Sequence, residues 1–95
     1  MHTFTDDYEW DEEKAQANLL KHGVGFAEAV NALWDDRAIT VLDEHPGEER
    51  YVTFGLDPLG RLLAVVYTWR GQTVRLISAR KATRNEARFY AAGER

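Results

Sequence analysis

The stretch VRLISARKATRNEARFY, residues 74–90, predicts a β-strand that runs directly into an α-helix. The alternating pattern indicates a strand over residues 73–80. Thr83 and Glu86 form a T-x-x-E capping box, in which each side chain bonds the backbone of the other residue. A helix over residues 84–91 should therefore close the fold.

This junction between strand and helix is unusually basic. The start of a helix carries partial positive charge, so a cation in its first turn costs ~0.3–1 kcal/mol when it is exposed. Arg84 in that turn suggests that an anion binds nearby. Arginine grips phosphate oxygens through its planar fork, and a helix start adds backbone N–H donors. The cations along this path are Arg75, Arg80, Lys81, Arg84 and Arg88.

Upstream of this stretch, the pattern predicts a meander of about four antiparallel strands, at residues 38–42, 51–56, 61–69 and 73–80. The third strand is apolar on both faces, which is typical of a central strand. The sequence DEHPGEER (residues 43–50) is rich in turn formers and predicts a loop. A further short strand is predicted within residues 2–9.

Two helices are predicted between that first strand and the meander. Asp11 can cap a helix over residues 11–21, and Gly23 can close it. Apolar residues at helical spacing then give a second helix one apolar face, formed by Phe26, Ala29, Val30, Leu33 and Trp34. The predicted fold class is α+β, with two N-terminal helices, an antiparallel sheet of about four to five strands and a C-terminal helix.

The composition favours an ordinary globular protein. The chain has 95 residues, of which 44% are hydrophobic, and it contains no cysteine. We expect residues 1–95 to form a single domain. No secretion signal or membrane span is visible, so we expect a cytoplasmic protein. The histidines His2, His22 and His45 lack the spacing of a metal site, and no metal or other cofactor is predicted.

The charge is divided unevenly along the chain. Residues 1–60 contain four basic and fourteen acidic residues, whereas residues 61–95 contain eight basic and two acidic residues. Such asymmetry suggests either binding of a polyanion or a charged protein partner. The alternative is that the two halves pair with each other through surface salt bridges, which contribute little to stability.

Three segments together resemble the BrnT family of bacterial toxins. They are WDEEKAQANLLKHGVGFAEA (10–29), GEERYVTFGL (47–56) and GRLLAVVYTWRGQTVRLISARKATRNEARFY (60–90). The resemblance implies a small RNase with a RelE-like fold, acting as the toxin of a type II toxin–antitoxin pair. It implies cleavage of RNA, arrest of growth, and neutralisation by a BrnA-type antitoxin of the ribbon-helix-helix class. DNA would be contacted only through that antitoxin.

Metal-independent RNA cleavage needs a base for the 2′-hydroxyl proton, an acid for the leaving 5′ oxygen and cations for the charged phosphorane. The candidate catalytic residues are Lys21, His22, Arg75 and Arg80. The candidate RNA-binding residues are Trp69, Lys81, Arg84 and Arg88.

Each of these assignments has a structural alternative. Lys21 and His22 suit the negative end of a helix dipole. Arg75 alternates with Ile77 and Ala79 and could form a structural ion pair, for example with Glu86. Glu86 is predicted to be a cap, Tyr90 a packing residue beside Ala87, and Trp69 an apolar anchor or a base-stacking platform. At the level of function, the alternative is a non-catalytic module that binds the antitoxin and regulates its operon.

Overall fold

The computed structural model describes residues 8–93 of the chain. In order, its elements are β1 (Tyr8–Glu9), α1 (Glu12–His22), α2 (Phe26–Ala32), β2 (Ile39–His45), β3 (Glu48–Leu56), β4 (Leu62–Arg70), β5 (Thr73–Lys81) and α3 (Arg84–Ala92). This order confirms the α+β class and the predicted closing helix. β1 is the end of the strand predicted within residues 2–9, and the rest of that prediction lies outside the described residues.

The five strands form one sheet in the order β1-β5-β4-β3-β2. β2 to β5 are antiparallel neighbours, as predicted, whereas β1 pairs with β5 in parallel. The sheet is therefore mixed, with its two edges formed by the shortest strand and by β2.

The loop predicted for residues 43–50 was wrong. β2 continues to His45 and β3 begins at Glu48, so that Pro46 and Gly47 alone connect them. Gly47 has a φ of +90°, as a tight turn with proline before glycine requires. The polar residues around this turn resembled a loop because an exposed hairpin needs few apolar side chains.

The two N-terminal helices cover one side of the sheet, which we call the core face. Asp11 Oδ1 accepts a hydrogen bond from the Glu13 N–H at 2.8 Å and starts α1, and Gly23 ends it with a φ of 71°. The buried Asn18 ties α1 to β5, because its side chain bonds both the N–H and the carbonyl of Ala79 at 3.1 and 2.8 Å. Removing that amide would leave buried backbone groups unpaired.

α2 packs closely on β3. A Cβ atom at Gly55 would lie 2.2 Å from the Ala32 carbonyl oxygen, so only glycine permits this approach. The predicted apolar face is confirmed as far as Leu33, which packs against the core. Trp34 lies beyond the end of α2 and is 56% exposed, and its indole N–H donates to the Tyr8 hydroxyl at 2.9 Å.

α3 lies on the opposite side of the sheet, which we call the open face. Phe54 neighbours Gly55 and points away from α2, and its ring meets that of Phe89 edge-on at 6.0 Å. The Tyr90 hydroxyl donates to Asp35 at 2.5 Å, so this residue anchors α3 by a hydrogen bond. No described residue of α3 is buried.

Candidate functional site

A β-bulge brings Arg75 and Arg80 to the same face of the sheet. Residues five apart in a regular strand point to opposite sides. The pairing of β4 with β5 shifts between Val66 and Tyr67, which leaves Ile77 as an extra residue. Arg75 and Arg80 consequently both lie on the open face. Their partners on β4, Thr68 and Ala64, are four residues apart, which corresponds to about 13 Å at the usual rise per residue of a strand.

The bulge also corrects the predicted surroundings of Arg75. Alternation placed this residue on one face with Ile77 and Ala79, but Ala79 is fully buried on the core face. The Arg75 guanidinium donates to Glu9 of β1 at 2.9 Å. The suggested ion pair of Arg75 with Glu86 was therefore wrong.

Arg75 lines a small cavity of about 90 Å³ at one end of the open face. Three other cations contribute to its wall, and we call the group of Lys14, Arg50, Arg70 and Arg75 the cationic cleft. The carboxylates beside it are Asp11, which caps α1, and Glu48.

The cleft keeps cations in excess of its ion pairs. Arg50 donates to Glu48 at 2.8 Å, and Arg75 is paired with Glu9. Within residues 8–93, neither Lys14 nor Arg70 forms an ion pair. The hydrogen bond from Arg50 lowers the pKa of Glu48, and the charges of Arg70 and His45 lower it further. Lys14 and Arg70 are therefore the cations of this cleft that an anionic ligand could pair with first.

At the other end of the open face, Arg80, Thr83 and Glu86 form a closed network that we call the α3 junction. The Arg80 guanidinium donates to both Glu86 carboxylate oxygens, at 2.8 and 3.0 Å. Glu86 also accepts from the Thr83 N–H at 2.8 Å, and the Thr83 hydroxyl accepts from the Glu86 N–H, which confirms the capping box.

The bidentate hydrogen bond from Arg80 lowers the pKa of Glu86 from 4.5 to about 2, and the same carboxylate raises the pKa of Arg80. Glu86 is consequently ionised at neutral pH. Its carboxylate lies at the helix start, where the sequence suggested a bound anion. The chain thus supplies a carboxylate at this helix start, and that carboxylate pairs with Arg80.

The other predicted RNA-binding residues are distributed around these two ends. Lys81, Arg84 and Arg88 are exposed, and Arg88 donates to Asn85 at 3.1 Å. Trp69 is 50% exposed near the β4–β5 turn. Because Thr68 and Arg70 face the cationic cleft, alternation directs Trp69 to the opposite side of the sheet.

Lys21 and His22 end α1 on the core-face side, as their capping alternative expects. Among the described residues, no hydrogen bond or ion pair joins either side chain to Arg75 or Arg80. The structure thus places the two predicted arginines on one face of the sheet, in separate ion pairs, and the predicted histidine at the end of α1.

Sequence reasoning missed Lys14, Arg50, Arg70 and His45. Arg50 and His45 lay in the stretch interpreted as a loop, so their place on a strand was not visible. Had β3 been extended to Glu48, the alternation of Arg50, Val52 and Phe54 would have indicated a shared face. Lys14 reaches the cleft because α1 follows β1 directly and β1 pairs with β5. That pairing is a tertiary feature, which the sequence pattern did not show.

The described residues contain neither a metal-binding cluster nor a membrane-spanning helix. Across residues 8–93, no group of three or more His, Asp or Glu side chains is arranged to hold a metal ion. None of the helices in this part of the chain is both long and apolar enough to cross a membrane.

The chain is similar to proteins of one family. A sequence model of the family described as "Ribonuclease toxin, BrnT, of type II toxin-antitoxin system" matches residues 10–86. The 1.1 Å crystal structure of the Brucella abortus ribonuclease toxin BrnT matches with a TM-score of 0.59 and 27% sequence identity, covering 79% of this chain and 94% of that one. A comparison with curated proteins found no match.

Proposed function

The chain belongs to the BrnT family of ribonuclease toxins of type II toxin–antitoxin systems, and from this premise we propose that it is itself a metal-independent endoribonuclease that arrests growth. The family and its RelE-like fold are those that the sequence suggested. The observation that carries the proposed activity is the cationic cleft, which continues along the open face to Arg80.

The open face suits a single RNA strand. Arg70, Arg75 and Arg80 follow one side of the sheet, and guanidinium groups bind phosphate oxygens with two parallel hydrogen bonds. The Val66 and Ser78 side chains between them are only partly buried, so a strand can approach the sheet. Arg84 and Arg88 on α3 and Lys81 at the end of β5 are exposed cations that we propose to contact further phosphates.

Cleavage then follows from the chemistry of RNA. The 2′-hydroxyl loses its proton to a base and attacks the neighbouring phosphorus, and the bond to the 5′ oxygen breaks as an acid protonates that oxygen. The products are a 2′,3′-cyclic phosphate and a free 5′-hydroxyl. Arg75 is proposed to stabilise the phosphorane, with Arg80 holding an adjacent phosphate.

His22 and Lys21 remain the proposed proton-transfer residues, because histidine is best matched to either role near neutral pH. His45 is the second candidate, since it is paired with Glu48 in the hairpin and its charge acts on that residue beside the cationic cleft. Comparison of His22→Asn with His45→Asn assigns the role to the variant that loses at least ~100-fold in cleavage rate.

Membership of a type II system implies a protein antitoxin as partner. We propose that this partner is of the BrnA type, with a ribbon-helix-helix domain, and that DNA is contacted only through it. We also propose that residues 1–95 act as one domain in the cytoplasm, without a cofactor or a membrane.

The decisive experiment uses the chain freed of antitoxin, incubated with single-stranded RNA in excess EDTA. We expect cleavage products with 2′,3′-cyclic phosphate ends, and growth arrest when the chain is induced in cells. Arg75→Gln should retain the fold, measured by circular dichroism, and lose both effects. Cleavage that stops in EDTA and returns with Mg²⁺ would refute metal independence.

One observation favours the second candidate function, a non-catalytic module that binds the antitoxin and regulates its operon. Arg75 and Arg80 are both already paired with carboxylates, Glu9 and Glu86. If the pure chain leaves RNA intact and its induction is harmless, while a tight antitoxin complex still forms, this module is the correct description.

A further inference from the structure

The two edges of the sheet are very different. Within residues 8–93, β1 contributes two residues, whereas β2 contributes seven, Ile39–His45, and pairs with β3 on one side only. The backbone groups on the outer side of β2 have no strand beside them among residues 8–93. Such an edge is a template for another extended chain.

β2 carries acidic side chains but lacks several of the other usual protections of a sheet edge. It contains no lysine and no proline, and its pairing with β3 runs without a bulge from Ile39 to His45. Leu42 on this strand is 51% exposed. Together these features leave a flat, partly apolar edge that can accept a further strand.

The charges at this edge select the occupant. Glu44 of β2 lies directly opposite Glu49 of β3, whereas the neighbouring Asp43 lies opposite Arg50. None of these three carboxylates forms an ion pair with another described residue. Like charges directly opposite each other are destabilising, so a cation placed there relieves repulsion.

A recess of about 280 Å³ is lined by Leu42, Glu44 and Glu49, together with His45 and Glu48 of the hairpin. It matches an arginine or lysine, whose aliphatic stem would pack on Leu42 while the charged head meets Glu44 and Glu49. A second copy of the chain fits less well, because pairing two β2 strands would add the same acidic residues to each side.

We propose that β2 is the docking edge for a basic, extended segment of the protein antitoxin, which adds to the sheet as a sixth strand. This inference rests on the proposed function, because the family implies the antitoxin. Alternation directs Leu42, Glu44 and Glu49 to the side of the sheet opposite Arg75, and RNA cleavage is measured apart from antitoxin binding, so the two proposals can fail separately.

The test compares hydrogen–deuterium exchange in the chain alone and in complex with the antitoxin encoded beside its gene. We expect amide exchange within residues 39–45 to slow at least tenfold in the complex. Glu44→Gln with Glu49→Gln, at two exposed positions that line the recess, should weaken the complex about tenfold at low salt. A matched control is Gln16→Lys with Ala17→Lys, which changes the net charge equally at two exposed positions of α1 and should leave the affinity unchanged.

A complex in which residues 39–45 exchange as in the free chain overturns the docking edge, as does equal weakening by both double variants. Protection of β2 in the free chain, together with dimers in light scattering, overturns it in favour of self-association. Failure to form any complex overturns it too. RNA cleavage by the free chain, measured in parallel, reports separately on the proposed ribonuclease.

Discussion

The cationic cleft and the α3 junction use arginine in opposite ways on the same face of one sheet. At the α3 junction, both terminal nitrogens of Arg80 bond the carboxylate of Glu86, which is itself held by the helix cap. In the cleft, four cations converge, and the ion pairs within the described residues leave Lys14 and Arg70 without a carboxylate.

Whether a basic side chain is already bonded to a carboxylate distinguishes a structural role from a functional one better than the number of basic residues does. A bidentate pair that also closes a capping box fixes the start of a helix, and an incoming phosphate must displace a bonded carboxylate there. In the cleft, a phosphate adds charge compensation that the chain does not supply. We therefore expect substitutions in the cleft to change catalysis, and those at the junction to change stability and the access of Arg80 to RNA.

The largest expected effect is at Arg75. Arg75→Gln should lower the rate of RNA cleavage about 100-fold, because a donor to the developing phosphorane charge is lost. Glu9→Gln is the matched control, since it breaks the same ion pair but keeps the guanidinium. Cleavage of a fluorescent RNA measures both variants. If the two reduce activity equally, Arg75 acts through its ion pair and the cleft loses its proposed role.

The second test changes the junction. Glu86→Gln preserves the capping box, since glutamine serves in that motif, but removes the charge that neutralises Arg80. RNA affinity should rise ~3–10-fold as the guanidinium becomes free, while the free energy of unfolding falls by about 2 kcal/mol. Fluorescence anisotropy and urea titration give the two numbers. Unchanged affinity would show that Arg80 does not reach the RNA.

The acid stability of the junction follows from the pKa of Glu86. This pKa is about 2 in the folded chain against an ordinary value of 4.5, so the unfolded chain binds the proton more readily. The contribution of Glu86 to stability is therefore complete above pH ~5 and is lost as the pH falls from ~4.5 towards 2. It should amount to about 2 kcal/mol, after allowance for solvent at a partly exposed carboxylate.

Urea unfolding of the native chain and of Glu86→Gln, at pH 6 and pH 3, measures this contribution. The native chain should lose more stability than the variant over this interval, and the difference isolates Glu86. Equal losses would mean that the Arg80 ion pair contributes nothing and that other carboxylates dominate. Asp35 is one of them: burial would raise its pKa, but hydrogen bonds from Tyr90 and the backbone lower it.

The comparison also explains what the sequence could predict. The α3 junction was predictable because a capping box is local, and three residues of spacing fix both of its hydrogen bonds. The helix boundaries at Asp11 and Gly23 were visible for the same reason. The partner of Arg80 was not visible, since no pattern shows that the cap also binds this arginine.

The cleft was hidden because it depends on pairing between strands. Its arginines come from three strands. Arg75 shares a face with Arg80 only because of the bulge at Ile77, which no residue pattern predicts. Arg50 was further obscured by the polar hairpin around Pro46 and Gly47. Register and bulges are set by the packing of whole strands, so a single sequence reveals them poorly.

The smallest expected effect concerns the exposed cations beyond the junction. Lys81 and Arg84 have no ion-pair partner within residues 8–93, and we expect them to contact RNA phosphates through solvent-exposed charge alone. Lys81→Gln with Arg84→Gln should weaken RNA binding only severalfold at 0.1 M salt. The slope of log affinity against log salt is negative, and its magnitude should fall by ~1.4. Arg88→Gln should weaken binding less than the double variant, because it removes one charge only and Asn85 already bonds that guanidinium. Each phosphate contact releases counterions from the RNA on binding, so losing a contact must change the salt slope. An unchanged slope in the double variant would therefore confine the RNA to the region between the cationic cleft and Arg80.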